Sequence, residues 1–324
     1  MKRKNKIILW KRGYLVKKLL LIDGMGRAGK FLAANILNGF ADIEPVQLCS
    51  LLEHLPFFAK LGLIQQQVAQ ELIHNEIDMR CYEMLIGRNL NHRLFDKSSI
   101  FNLSNHRDLL LRSKEPDRDK ELKKFYKRGT YSFFLVHEIL SEIRIYFKAF
   151  PQVKVITLKR SPIDLVYSWY KNQSITRCGI DPKYFTIPLK GFKGPVPWYH
   201  YKNFKEYESL NNMDRIVATI EKLFQRYEKA EKEFSVGEKK KILFLRYEDI
   251  LGRTGEVIKK IQKFLNKKPL KEMGQILKRE KLPNREYSDV SSKKQKIAVI
   301  KARASARYFN KLMVLENKYF KDAD

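Results

Sequence analysis

The stretch that most constrains the fold is residues 19–31, LLLIDGMGRAGKF, in which an apolar run gives way to a glycine-rich turn. A short buried strand followed by such a turn and then by a helix is typical of an anion-binding loop. Gly24, Gly26 and Gly29 allow backbone conformations and a close approach of ligand oxygens that a Cβ atom would obstruct. The N–H groups at the start of the following helix point to the same place. We therefore predict a loop that binds a phosphate or a similar end group.

The spacing of this loop indicates which kind of phosphate site it forms. Gly24-x4-Gly29-Lys30 matches a Walker A loop up to its last position, where a Ser or Thr hydroxyl would bind Mg²⁺ and Phe31 stands instead. The loop is therefore predicted to bind phosphate without a metal ion.

Three apolar segments are predicted to be core strands, namely residues 19–23, 153–158 and 242–245. Polar residues follow each of them, and amphipathic helical patterns lie between them. Because ligands of parallel sheets collect beyond the carboxyl ends of the strands, the three endings are expected to meet in one crevice. The predicted fold class is α/β, a parallel sheet flanked by helices.

The domain organisation predicted for residues 1–324 is a single domain with two additions. Residues 41–150 form a mostly helical insertion, which is too long for a simple crossover between strands. Residues 175–211 are rich in Gly, Pro and aromatic residues and are predicted to be a lid or a wall of the substrate site.

The charge and cysteine content restrict the partners. A formal net charge of +29 favours polyanions such as nucleic acid, anionic lipid or acidic glycans, although solvated Lys-rich helix faces explain it equally well. Cys49, Cys81 and Cys178 are too far apart for a zinc cluster, and their odd number does not fit a disulfide framework.

The N-terminal residues 1–23 are basic, but their apolar runs are too short for a signal sequence or a membrane span. No apolar run elsewhere is long enough to cross a bilayer. A cytoplasmic protein is therefore expected.

A second anion site is predicted after the strand at residues 153–158. Ser161 is a natural N-cap and Pro162 a natural first helical residue, with Asp164 at the third helical position. Ser168 lies about two turns beyond the cap, on the face that also carries Arg160. A guanidinium and a hydroxyl on one face at a helix start form an anion site.

These elements resemble the sulfotransferases that use 3′-phosphoadenosine-5′-phosphosulfate (PAPS). The resemblance is carried by the loop at residues 24–30, by Arg160 and Ser168 with Pro162 and Asp164 between them, and by the tetrad Arg-Tyr-Glu-Asp at residues 246–249. It covers roughly residues 17–40, 150–172 and 240–265. It implies a P-loop-like sulfotransferase fold and an enzyme that transfers a sulfuryl group from PAPS, with no metal required, to a hydroxyl or amine.

The same resemblance implies roles for individual residues. The loop would bind the 5′-phosphosulfate, Arg160 and Ser168 the 3′-phosphate, and Tyr247 would lie near the nucleotide, while Glu248 and Asp249 hold the loop architecture together. The residues implied in donor binding are Gly24, Gly26, Arg27, Ala28, Gly29, Lys30, Phe31, Arg160, Ser168 and Tyr247. Where many family members have Ser-Gly-Thr-Thr after the loop arginine, this chain has Ala28-Gly29-Lys30-Phe31. Either Arg27 or Lys30 would stabilise the bridging oxygen as the S–O bond breaks.

A general base must take the proton of the acceptor. Glu53 and His54, about two dozen residues beyond the loop, are the leading candidates, with Glu44 as the alternative. The acceptor is predicted to be a small molecule or carbohydrate, anionic or otherwise polar.

Two other functions remain open from the sequence alone. A P-loop kinase shares the Gly24-x4-Gly29-Lys30 spacing, but Phe31 and the lack of an obvious Walker B aspartate at a strand end disfavour it. A basic nucleic-acid-binding protein would explain the charge but not the paired anion sites.

Overall fold

The computed structural model describes residues 13–283 and 290–321. The N-terminal residues 1–12, part of the basic segment considered above, lie outside that description. The strands within it are β1 (Leu19–Gly24), β2 (Gln47–Leu48), β3 (Ser132–Leu135), β4 (Lys154–Lys159), β5 (Pro188–Lys190), β6 (Pro195–Pro197) and β7 (Ile242–Arg246).

The helices described are α1 (Lys30–Leu37), α2 (Leu51–Lys60), α3 (Gln66–Leu85), α4 (His106–Arg112), α5 (Arg118–Arg128), α6 (Arg144–Ala149), α7 (Pro162–Lys171), α8 (Ser174–Arg177), α9 (Phe204–Ser209), α10 (Asn212–Glu233), α11 (Val236–Lys239), α12 (Tyr247–Gly252), α13 (Thr254–Leu265), α14 (Met273–Arg279), α15 (Val290–Lys301) and α16 (Ala306–Lys321).

A five-stranded parallel sheet in the order β2-β3-β1-β4-β7 forms the centre of the fold. All residues of β1 and β3 are buried, as expected for central strands of a parallel sheet covered on both faces. After β1 the chain continues to β2 at one edge of the sheet, and after β4 it continues to β7 at the other edge. Because the two connections diverge, a crevice opens beyond the carboxyl ends of β1 and β4. The α/β fold class is confirmed.

The register brings the carboxyl ends of three strands level. Gly24 pairs with Leu158, and Lys159 pairs with Arg246. The segments that follow β1, β4 and β7 therefore start at one edge of the sheet, as the sequence predicts.

The prediction of three core strands was incomplete. The region 41–150 is mostly helical, from α2 to α6, but it also supplies β2 and β3. Strand β3 lies between β1 and β2, so part of this region belongs to the central sheet. The single-domain organisation stays a prediction.

Residues 175–211 are ordered into short elements rather than one open loop. They contain β5 and β6, which pair in an antiparallel hairpin, and helix α9. Their role as a lid stays a prediction.

Two findings concern the described ranges as a whole. None of the helices there has the length and apolarity that a bilayer span requires. All three cysteines are buried as free thiols.

Candidate active site

The loop between β1 and α1, residues 24–29, has the backbone conformation that its glycines permit. Gly24 and Gly29 have φ values of 148° and 93°, and Arg27 also has a positive φ, 71°. A Cβ atom on Gly29 would lie 2.3 Å from Cδ2 of Tyr247, so only glycine fits this contact. Within the described residues, no side chain caps the N-terminus of α1. Its N–H groups are therefore available to a ligand.

We expect Gly29→Ala to lower the free energy of unfolding by about 2–4 kcal/mol, because alanine combines an unfavourable φ with the clash against Tyr247. Gly26→Ala is the matched control in the same loop, since its Cβ would lie 3.5 Å from Trp169, an ordinary contact. Its effect should stay within about 0.5 kcal/mol in the same denaturant titration. Equal losses for the two variants would contradict this account of the loop.

Lys30 is buried under the loop. Its Nζ donates hydrogen bonds to the carbonyl oxygens of Gly24, at 2.6 Å, and Met25, at 2.8 Å. Burial lowers the pKa of Lys30 to about 8, against the opposing attraction of the carboxylates of Asp23, Glu138 and Glu53.

Arg27 is exposed and links the two predicted anion sites. Its Nε donates to Oγ of Ser168 at 3.0 Å, and Nη1 of Arg160 donates to the carbonyl oxygen of Arg27 at 2.8 Å. Residues more than 130 positions apart in sequence thus meet at the carboxyl ends of β1 and β4. The loop and the second anion site form one continuous surface.

Arg160 is positioned by two neighbours. Its guanidinium lies over the ring of Tyr247, 4.4 Å from the centroid, and Nη2 lies 3.8 Å from the carboxylate of Asp164. Its buried Nε has no hydrogen-bond partner among the described residues. A buried donor of this kind requires an acceptor, and an anionic ligand can provide it.

The N-terminus of α7 itself is not open to a ligand. Ser161 is the N-cap and accepts from the N–H of Asp164, as predicted. The buried carboxylate of Glu316, on α16, accepts from Oγ of Ser161 at 2.8 Å and from the N–H of Ile163 at 3.1 Å. The anion position at this helix start is therefore filled by the protein. The second site consists of Arg160 and Ser168, on the side facing Arg27.

The tetrad at residues 246–249 connects β7 to its surroundings. The carboxylate of Glu248 accepts from the N–H of Ser161 at 2.9 Å and from the hydroxyl of Tyr319 at 2.6 Å. Asp249 pairs with Arg253. Both acidic residues thus have partners within the protein. That they hold the loop architecture together, as the resemblance implies, stays a prediction.

A cavity of about 460 Å³ lies next to Arg27. We call it the acceptor cavity because the residues predicted to take the acceptor proton line it. Glu53 and His54, the two leading base candidates, both line it. Oε1 of Glu53 lies 2.6 Å from Nδ1 of His137, whereas Nε2 of His54 lies 2.6 Å from the carbonyl oxygen of Phe185. Glu53 thus forms a carboxylate–histidine pair, whereas His54 contacts the segment 175–211.

The sequence reasoning missed His137 and Glu138, which follow β3 directly. Both line the acceptor cavity, and Oε1 of Glu138 accepts from the N–H of Gly26 at 3.2 Å. Burial raises the pKa of Glu138, and its φ of 62° is unusual for a residue other than glycine. Backbone strain of this kind clusters at functional sites. The apolar run at residues 133–136 is the signal in the sequence, because it indicates a strand whose end carries these two residues.

Glu44, the alternative base candidate, lies outside the acceptor cavity. Its two carboxylate oxygens accept from Arg112 at 2.6 Å and 3.0 Å, and it does not line the acceptor cavity. Phe31, where a Walker A loop would have its hydroxyl, is half-buried and packs against the core.

The chain is similar to known proteins of one class. Similar solved structures include the sulfotransferase domain from the curacin biosynthetic pathway (15% identity, 81% of this chain and 78% of that chain, TM-score 0.43). They also include sulfotransferase STF1 from Mycobacterium tuberculosis H37Rv (10% identity, 81% and 71%, TM-score 0.40) and a sulfotransferase from Alicyclobacillus acidocaldarius (12% identity, 91% and 99%, TM-score 0.34). No curated protein matches the chain.

The family model for the sulfotransferase domain matches residues 89–314 of the 324-residue chain. The chain therefore belongs to the sulfotransferase family, and the protein is a sulfotransferase. The matched range begins beyond the phosphate loop but contains His137, Arg160, Ser168 and Tyr247.

Proposed function

We propose that this sulfotransferase takes its sulfuryl group from PAPS and transfers it to a hydroxyl or amine in the acceptor cavity. One observation carries the proposal: Arg27 donates to Ser168 of the second anion site and also lines the cavity that contains Glu53 and His137. A donor with anions at its 3′ and 5′ ends and an acceptor beside a base would thus share one crevice.

The residues at this crevice suit such a donor. The loop N–H groups and Lys30 would bind the 5′ end, and Arg160 with Ser168 the 3′-phosphate. Nε of Arg160 is buried without a hydrogen-bond partner in the described part of the chain, and the 3′-phosphate would provide one. Tyr247 lies beside both sites and would contact the nucleoside. Phe31 provides no hydroxyl for Mg²⁺, which supports a donor site that works without a metal.

The donor supplies the sulfuryl group. Its transfer forms a bond between the acceptor atom and sulfur and breaks the S–O bond to the phosphate. The acceptor atom loses its proton in the same reaction. Negative charge then develops on the phosphate oxygen. We assign its stabilisation to Lys30, because its ammonium group is buried against the loop backbone. Arg27 reaches outward to Ser168 and would instead link the two ends of the donor site.

We assign the removal of the acceptor proton to the Glu53–His137 pair. A carboxylate on Nδ1 fixes the tautomer of the imidazole, so that Nε2 is the nitrogen that accepts a proton. His137 would then be the base and Glu53 the residue that orients it. His54 lines the same cavity, but its Nε2 is engaged by Phe185.

The buried lysine gives a pH-dependent test of donor binding. The pKa of Lys30 is about 8 in the free protein, and a bound anion would raise it, so binding is coupled to proton uptake. We expect the affinity for adenosine 3′,5′-bisphosphate, the product of PAPS, to be constant below pH 8 and to fall above it, by up to about tenfold per pH unit. Calorimetric titrations at pH 7, 8 and 9 would measure this.

Lys30→Met is the control for this pH dependence. The variant should bind the bisphosphate more weakly at pH 7, and its affinity should no longer fall between pH 8 and 9. A wild-type affinity that stays flat across this range, or an equal fall in the variant, would contradict the role of Lys30.

A further inference from the structure

Charged residues of both signs line the acceptor cavity. Its carboxylates belong to Glu53, which pairs with His137, and to Glu138, which is only 6% exposed. The cations Arg80, Arg177 and Lys183 line the same cavity and are more accessible, the two arginine side chains being 30% and 29% exposed. Two of these cations have acidic neighbours, because Arg80 pairs with Glu76 and Arg177 with Asp181.

Arg177 and Lys183 nevertheless retain hydrogen-bonding capacity. Nε of Arg177 donates to Asp181 at 2.9 Å, and within residues 13–283 and 290–321 its terminal amino groups make no hydrogen bond. The ammonium group of Lys183 forms no ion pair in the same described part of the chain, and Nε of Arg80 contacts Glu76. Arg177 and Lys183 can thus receive an anionic group from a ligand without losing an existing partner.

The acceptor cavity also has apolar walls. Phe57 and Trp198 stack with ring centroids 3.5 Å apart, and Trp169 and Ile187 also line the cavity. Such walls favour an apolar or aromatic segment in the ligand. A volume of about 460 Å³ is typical of a site for a small molecule.

This inference rests on the function proposed above. We propose that the acceptor is a small hydroxyl compound that also carries an apolar segment and an anionic group such as a carboxylate. The hydroxyl would lie at the Glu53–His137 pair and the anion at Arg177 and Lys183. Neutral phenols and uncharged sugars would lack the second interaction.

The test compares one acid with its uncharged ester. Calorimetry would measure the binding of 3-(4-hydroxyphenyl)propionate and of its methyl ester to the full-length protein saturated with adenosine 3′,5′-bisphosphate. A hydrogen-bonded ion pair that only the acid can form is expected to make the acid bind at least about tenfold more tightly. The variant Arg177→Gln/Lys183→Gln should lose this preference. Lys190→Gln, which removes an exposed lysine of β5 outside the cavity lining, should keep it.

Three results would overturn the inference: an ester that binds as tightly as the acid, an acid that does not bind, or a preference that survives in the double variant. Failure of the donor proposal is a separate observation, because binding of the bisphosphate is measured first. If the bisphosphate does not bind, the same acid and ester are compared on the free protein.

Discussion

Replacing Glu53 with glutamine is expected to lower kcat by about 10²–10⁴-fold. The amide retains the size of the carboxylate but no longer selects the tautomer in which Nε2 of His137 accepts a proton. Because the side chain of Glu53 hydrogen-bonds His137 rather than a residue of the phosphate loop, the affinity for adenosine 3′,5′-bisphosphate at pH 7 should change less than twofold. Single-turnover transfer from PAPS to an acceptor that the wild-type enzyme uses would measure the first effect, and calorimetry the second.

Two further variants distinguish the base candidates. His137→Gln should cost as much as Glu53→Gln, and the double variant little more than either, because the two residues act as one unit. His54→Gln is the matched control, since His54 lines the same cavity but contacts Phe185. It should cost less than tenfold. A large loss for His54→Gln together with a small one for Glu53→Gln would assign the base to His54 instead.

Replacing Arg160 with alanine is expected to weaken the binding of adenosine 3′,5′-bisphosphate by about 10- to 100-fold. The change removes charge-assisted hydrogen bonds to the 3′-phosphate, each worth about 1.5–3 kcal/mol. It also removes the contacts of the guanidinium with Tyr247 and with the carbonyl oxygen of Arg27. Calorimetric titration of the two proteins gives the ratio directly.

The high net charge of this chain makes a control for unspecific attraction necessary. Arg253→Ala removes the same charge from an exposed residue that pairs with Asp249 and lies outside the site. Its affinity for the bisphosphate should change less than twofold. A similar loss in both variants would indicate general electrostatic attraction, and an unchanged affinity in a folded Arg160→Ala variant would exclude the second anion site.

Much of the site could be predicted because its parts are local in sequence. The glycine spacing of residues 24–29 and the cap at Ser161 are short-range patterns, and the structure forms both. The proximity of the loop and the segment after β4 could be predicted from one general rule, that the carboxyl ends of parallel strands lie at one edge of the sheet. The hydrogen bond from Arg27 to Ser168 is the result.

Other parts of the site depend on contacts that no local pattern contains. Glu316 reaches the start of α7 from more than 150 residues away, and a buried glutamate on a helix has no sequence signature. His137 is not predicted from the sequence because β3 has only three apolar residues and lies in a mostly helical region. Once β3 is recognised, the rule that located Arg160 also locates His137 and Glu138.

The separate roles of the two loop cations could not be predicted from the sequence. Arg27 and Lys30 are three residues apart and both basic, so the sequence left their roles open. The left-handed backbone at Arg27 directs its side chain toward Ser168, while Lys30 turns under the loop to the carbonyl oxygens of Gly24 and Met25. This difference in direction supports the separate roles proposed for them.

The measurement that tests the central claim most directly is a calorimetric titration of the full-length protein with adenosine 3′,5′-bisphosphate, with Mg²⁺ and then with EDTA, beside the same titrations with ATP. The proposed donor site predicts one bound bisphosphate per chain, with an affinity that EDTA does not change and with much weaker binding of ATP. Failure to bind the bisphosphate, together with ATP binding that requires Mg²⁺, would contradict it.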